Sequence, residues 1–373
     1  MTDQPPTLLR PSFFRTLFFV AIAAVFLIAI DSVLANTERN ETAQSAGRFY
    51  REGQSLMQQR KYADAADAFR SAIANARSNP DYPLALGQAL RDDGQLDAAG
   101  STLSDLLRAD SMAGAPNLAM ARVFVKEGQF EEATFYYHRA IYGQWRPQDA
   151  AANQVGVRFE LADLLARRNS KAELLAELLP LQDQASPDRA TQEKLARLYM
   201  TAGSPARAAA IFRDLVKANP QDAAAPEGLG EAEFARADYL AAQSALIAAI
   251  RLRPDDQDAR QLLELCDRVL NLDPMRRGLN GEERYRRSVH VLQLVSDKAT
   301  QCLAPDRTEP AVNLIDEAKL ALSRHVPAGG QSEALEANLD LASKLWQAEK
   351  ADCKPGIMAA GDPLQLVMAK ASQ

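Results

Sequence analysis

Residues 61–69 read KYADAADAF, and the same skeleton returns as QLDAAGSTL at 95–103, QFEEATFYY at 129–137 and DYLAAQSAL at 238–246. Each time an aromatic or a leucine comes first. A small residue follows three positions later, and a large apolar residue four after that. Spacings of three and four stack side chains on one face of a helix, so the skeleton is a helix face written four times. Self-similarity of this kind points to a stacked array and is tested before any single element is assigned.

A second small residue lies twelve positions upstream of each such column. Anchored there, the chain falls into six registers at Gly53, Gly87, Ala121, Ala162, Ala196 and Gly230, with intervals of 34, 34, 41, 34 and 34. Seven beyond each anchor stand Arg60, Gly94, Gly128, Asn169, Gly203 and Ala237, mostly residues that suit a tight turn between helices. Twelve beyond stand Ala65, Ala99, Ala133, Leu174, Ala208 and Ala242, and sixteen beyond stand Phe69, Leu103, Tyr137, Leu178, Phe212 and Leu246. A small residue on each helix lets two antiparallel helices approach closely, and the large residue fills the gap beside it. One such hairpin cannot bury its apolar face alone, so neighbours stack and share a continuous core.

Leu86-Gly87, Leu90, Gly94, Leu96, Ala99 and Leu103, like Leu195-Ala196, Tyr199, Gly203, Ala208, Phe212 and Pro220, resemble the tetratricopeptide repeat. The resemblance covers about residues 46–254 and implies an all-α solenoid of about six helix-turn-helix repeats. It also implies a groove, lined by the first helix of each pair, that binds peptide segments or partner proteins. The sequence departs from the family pattern in four respects. The early tryptophan is missing, the first repeat reaches its proline three residues late at Pro80, Leu174 replaces alanine, and seven extra residues precede the fourth repeat around YGQWRPQDAAANQVG. With Pro180 inside the next helix, these changes predict altered pitch near 143–180 and a division between two blocks of three repeats.

Composition is that of a folded protein, 47% hydrophobic and 25% charged, and the net charge of −6 argues against nucleic acid as the main partner. Residues 17–30, LFFVAIAAVFLIAI, form an apolar run behind Arg10 and Arg15. Extended over 13–35 it reaches spanning length and predicts a signal-anchor within 1–35, with the rest of the chain outside the membrane and periplasmic in a bacterium. A cleaved signal peptide with Val33-Leu34-Ala35 at its cleavage site is the alternative. The polar stretch 36–44 reads as a linker.

The solenoid extends over 45–273, where 256–272, with Leu262, Leu265, Cys266 and Val269, reads as a capping helix. A C-terminal helical module is expected over 274–354. Its first helix is capped at Asn280 and ends near 303, its second covers 311–324, and its third covers about 331–350. Residues 355–373 read as a loose tail. In an up-down-up module Cys302 and Cys353 reach the same end, which predicts a disulfide in an oxidising compartment, worth about 4 kcal/mol in the chain-entropy treatment, with Cys266 a buried thiol.

The sequence contains no phosphate-cradling glycine loop, nucleophile elbow or histidine cluster, so no catalytic, metal or cofactor residue is assigned. The groove implied by the resemblance places Arg91, Arg122, Lys126, Arg167, Arg197, Met200 and Phe234 inward. Five of these are basic. They form either a stripe suited to acidic segments or a solvated helix face. The leading reading is a non-catalytic, membrane-tethered scaffold for protein or peptide partners. A chaperone-like assembly factor and an enzyme based in the C-terminal module are the alternatives.

Overall fold

A computed structural model describes residues 11–302, 309–352 and 361–371. The described residues are all helical apart from turns and one isolated bridge between Ala113 and Gln144. Six antiparallel pairs come first: α1 (Pro11–Gln58) with α2 (Tyr62–Asn75), α3 (Asp81–Asp92) with α4 (Leu96–Ala109), and α5 (Gly114–Glu127) with α6 (Phe130–Ile141). They continue as α7 (Ala150–Arg167) with α8 (Lys171–Gln184), α9 (Arg189–Thr201) with α10 (Pro205–Ala218), and α11 (Ala224–Ala235) with α12 (Tyr239–Leu252). Next come α13 (Gln257–Leu272), α14 (Gly281–Cys302), α15 (Glu309–Ser323), a short 3₁₀ turn, α16 (Gln331–Asp352) and α17 (Pro363–Ala371).

The turn between the two helices of a pair is the same motif six times. Arg60, Gly94, Gly128, Asn169, Gly203 and Ala237 all take the left-handed conformation, with φ between 56° and 86°. The following N–H donates to the carbonyl five residues back, as in Lys61 to Leu56 (2.9 Å), Gln95 to Leu90 (2.9 Å) and Ser204 to Tyr199 (2.9 Å). This bond satisfies a carbonyl the helix end would otherwise leave open. Three of the six positions use a residue with a side chain, which costs on the order of 1 kcal/mol where glycine would cost none.

The packing columns are buried in all six pairs. Ala65, Ala99, Ala133, Leu174, Ala208 and Ala242 are fully enclosed, and Phe69, Leu103, Tyr137, Leu178, Phe212 and Leu246 are at most 2% exposed. A methyl group built on Gly53 would lie 2.5 Å from the Phe69 ring, on Gly87 2.8 Å from Leu103, and on Gly230 2.6 Å from Leu246. The large residue of the second helix therefore occupies the space that the glycine of the first leaves empty.

The chain divides into two compact units between Leu161 and Ala162, inside the first helix of the fourth pair. In the first unit the excess before that pair folds back rather than extending. The Gln144 N–H donates to Met112 O (2.7 Å) and Gly114 N–H to Gln144 O (2.8 Å). Trp145 then covers Gly114 and donates from Nε1 to Ala140 O at 2.8 Å.

In the second unit the C-terminal helices pack on the end of the repeats. Tyr239 of α12 and Val269, Leu270 and Leu272 of α13 share one core with Val291, Leu292, Val295, Ile315, Leu345 and Trp346 of α14–α16. Residues 363–371, read as part of a loose tail, form α17 and bury Leu364, Val367 and Met368 in that core. The Asn280 side chain caps α14 by accepting from the Glu283 N–H at 2.8 Å. The stretch 36–44, read as a linker, is helical within α1. It holds no proline or glycine to break the helix.

Cys266 is fully buried and unpaired, and burial pushes its thiol up to about 12. The Cys302–Cys353 pairing lies outside the described residues. So do most side chains of the run 17–30. Among the described residues, no helix is long and apolar enough to cross a membrane.

Candidate functional site

Within each unit the first helices of successive pairs approach one another directly, α3 with α5 in the first, and α9 with α11 and α11 with α13 in the second. Their shared surface is the inner face of the stack, and the seven inward residues expected from the sequence fall on these helices or on α7.

In the first unit the inward cations meet carboxylates of the same chain. Arg91 pairs with Asp92 through Nε and Nη2, both at 2.9 Å. Lys126 donates to the Arg91 carbonyl at 2.9 Å and lies 3.5 Å from Asp92. Burial works against charge on Asp92, but the Arg91 guanidinium and the Lys126 ammonium hold its carboxyl below the usual range. Arg122 grips Glu160 with two bonds of 2.9 and 2.8 Å, and the Tyr137 hydroxyl donates to the same carboxylate at 2.7 Å. Burial again opposes the charge on Glu160, and Arg122 with Tyr137 outweighs it, so its carboxyl is lowered. The Glu160 bond in turn raises Arg122.

In the second unit the pattern changes sign along the face. Asp163 pairs with Lys194 at 2.8 Å, and Arg197 pairs with Glu193 at 3.1 Å and approaches Glu231 at 3.9 Å. Arg167, one turn beyond Asp163, is exposed and has no ion-pair partner among the described residues. An open cavity of about 410 Å³ is lined by Asp163, Glu193, Lys194, Arg197 and Thr201 together with Ala190 and Leu198. A second, of about 340 Å³, is lined by Glu227, Glu231 and Asp258 together with Leu246, Leu262 and Leu265. Burial raises the Glu231 carboxyl and Arg197 lowers it. Glu227, Asp256 and Asp258 add to the rise, and the balance is upward.

The remaining two inward residues differ in role. Met200 is half-buried. Phe234 is also half-buried and packs edge-on against Tyr239, with ring centroids 5.3 Å apart, where two core clusters meet. It belongs to the joint between repeats more than to an open groove. Asp92, Glu160, Lys194, Glu227 and Asp258 were not singled out from the sequence. A signal for two of them is present in the register. The residue one beyond an anchor and the residue two before the next anchor carry opposite charges in Arg122/Glu160 and in Asp163/Lys194, and both pairs form.

The sequence profile of the tetratricopeptide repeat matches residues 50–113 and 193–256. No curated protein matches the chain. Among solved structures, YrrB, described as a TPR protein with an unusual peptide-binding site, is 18% identical, with 53% of this chain and 99% of that one covered at a TM-score of 0.42. The C-terminal part of a TPR repeat-containing protein from Cytophaga hutchinsonii is 14% identical, covering 77% and 99% at 0.43. The pilF protein of Pseudomonas aeruginosa is 15% identical, covering 61% and 98% at 0.42.

Proposed function

We propose that the chain, whose residues 50–113 and 193–256 match the tetratricopeptide repeat, is a non-catalytic scaffold holding a protein segment along the first helices of its second unit. The observation that carries this reading is the pair of open cavities on that face, each lined by both apolar and charged residues. Such cavities accept side chains of an extended or helical segment, with the apolar residues supplying area and the charged ones orientation. The first cavity balances Lys194 and Arg197 against Asp163 and Glu193, and the second carries three carboxylates, so the two ends of the face favour different side chains. An acidic side chain lies toward Arg167 and Arg197, and an apolar side chain beside a basic one lies over Leu262 and Leu265. A uniformly acidic segment matches only the first half of this face. In the first unit, Arg91, Arg122 and Lys126 spend most of their charge on Asp92 and Glu160.

We further read the run 17–30 as a membrane anchor or export signal that places the repeats on the extracytoplasmic side. Its length, the flanking Arg10 and Arg15, and the exposure of Phe18, Phe26 and Ile30 on α1 support this. The mass of the mature N-terminus separates anchor from cleaved signal.

The binding reading is tested by selecting a random peptide library on the immobilised full chain. Enriched peptides should combine an acidic residue with a neighbouring apolar–basic pair. Their affinity should fall at least about tenfold in Arg167→Glu/Arg197→Glu, a loss of about 1.4 kcal/mol, and stay unchanged in Lys217→Glu on the outer helix α10. Equal loss in both variants would place the binding surface elsewhere.

A further inference from the structure

A cavity of about 660 Å³ lies where the last repeat meets the C-terminal helices. Its walls come from the α11–α12 turn, the start of α12, the end of α13 with the connection to α14, and the end of α17. Four cations line it: Arg236, Arg276, Arg277 and Lys370. The lining carboxylates are Asp238 and Asp273.

Both acids are already engaged. Asp238 accepts from the Ala241 N–H at 3.1 Å as the cap of α12. Asp273, 2% exposed, accepts from Lys370 at 2.8 Å and from the Met275 N–H at 2.7 Å. Arg236 is held at 2.6 Å by the buried Glu233, which also takes Arg213 at 2.5 Å. Arg276, half-buried, and Arg277, exposed, have no carboxylate partner among the described residues. In a chain of net charge −6, two guanidinium groups without an ion-pair partner among the described residues thus line a recess whose buried acid, Asp273, is already paired.

The same lining also holds apolar groups. Leu240 and Met275 are 43% and 50% exposed, beside Leu270 and the ring of Tyr239. Planar guanidinium forks match carboxylate oxygens two to two, while an ammonium or a neutral donor would match less well. A recess lined by both cationic and apolar groups can receive a carboxylate and an apolar side chain from one segment.

We propose that this recess is a second docking site, distinct from the inner face, for a protein segment that carries a carboxylate next to a large apolar side chain. Arg276 and Arg277 take the carboxylate, and Leu240, Met275 and Leu270 receive the apolar group. The scaffold would then hold two segments at once, one on each surface, which raises the effective concentration of each for the other.

The test is fluorescence anisotropy of the full chain with a labelled decapeptide of alternating glutamate and leucine. Its glutamine–leucine analogue, inorganic phosphate and phosphatidylglycerol vesicles serve as comparison probes. Binding of the glutamate peptide should weaken at least about tenfold in Arg276→Glu/Arg277→Glu and steeply with added salt. Binding at the recess should persist in Arg167→Glu/Arg197→Glu, which removes only the share of the signal due to the inner face. Matching circular dichroism and urea midpoints show that the variant folds, since both arginines lie in a connection between helices. Several results would overturn the proposal: no binding, equal binding of the glutamine analogue, or loss only in the inner-face variant. Displacement by phosphate or vesicles as effective as by unlabelled peptide would do so as well, by assigning the arginines to a simple anion or a membrane surface.

Discussion

Alanine at Gly87 and alanine at Gly100 are the same chemical change in neighbouring helices, and the packing columns predict that they act in opposite directions. Both glycines sit in helix interiors, α3 and α4, where replacing glycine with alanine gains about 1 kcal/mol of helix propensity. At Gly100 a Cβ meets nothing within 4 Å, so that gain should appear as added stability. At Gly87 the Cβ would lie 2.8 Å from both Cγ and Cδ2 of Leu103, inside the ~3.5–4.0 Å of an ordinary carbon contact. Leu103 is fully buried, and its branch carbon cannot swing into solvent. Overpacking of this kind costs about 1–3 kcal/mol, so Gly87→Ala should come out between neutral and about 2 kcal/mol destabilised after the propensity gain.

The contrast between the two sites isolates the steric part. A double-mutant cycle sharpens it. Leu103→Ala alone should cost about 2–5 kcal/mol, and the new methyl at residue 87 should partly fill the space it vacates. The double variant should therefore be at least about 1 kcal/mol more stable than the two single costs predict. Urea unfolding followed by circular dichroism gives all four values. If Gly87→Ala stabilises as much as Gly100→Ala, or if the cycle is additive, the small–large pairing is not the packing code of this chain.

Arg60→Gly should raise stability by about 0.5–1 kcal/mol in the same assay, because Arg60 holds φ at 59° without glycine's freedom. The Cys266 thiol, buried and raised to about 12, should resist alkylation at neutral pH in the folded chain and react once urea unfolds it. Asp92 and Glu160 have lowered carboxyls, so the native state gives up their protons more readily than the unfolded state. Their stabilisation is present at neutral pH and is lost as pH falls through the values they hold in the fold. Glu160→Gln should accordingly flatten the acid limb of the stability–pH profile. Glu231 runs the other way: its raised carboxyl favours the fold when protonated and disfavours it as pH rises. Glu231→Gln should therefore increase stability at neutral pH and change little in acid.

The parts of the fold that recur were legible in the sequence. Six turn positions, six small residues and six large ones share one register, and each can be checked against the others. The left-handed φ at Arg60, Asn169 and Ala237 is the clearest instance, since none is glycine and only the register marks them. What occurs once was harder to read. The fold-back of 142–145 depends on Trp145 finding Gly114, thirty-one positions upstream, and no periodicity announces it. Helix α17 is short, and its apolar residues become a face only because α13 and α14 stand beside it. On the inner face, residue types were readable and their charge state as a set was not. Arg122 and Lys126 look free along their own helix, and the carboxylates that meet them come from the adjacent first helices. Arg276 and Arg277 sit in a connection outside every repeat column, where sequence alone marks only a boundary.

The central claim is that a partner segment lies along the first helices of the second unit, and site-specific photo-cross-linking tests it most directly. A photoreactive side chain is placed in the full chain at Thr201 or Gln261, which line the two inner cavities, and at Lys217 on the outer helix, with a library-selected peptide as the target. The account predicts adducts from the two inner positions, competed by unlabelled peptide, and none from Lys217. Adducts from Lys217 alone, or equal yields at all three positions, would contradict it.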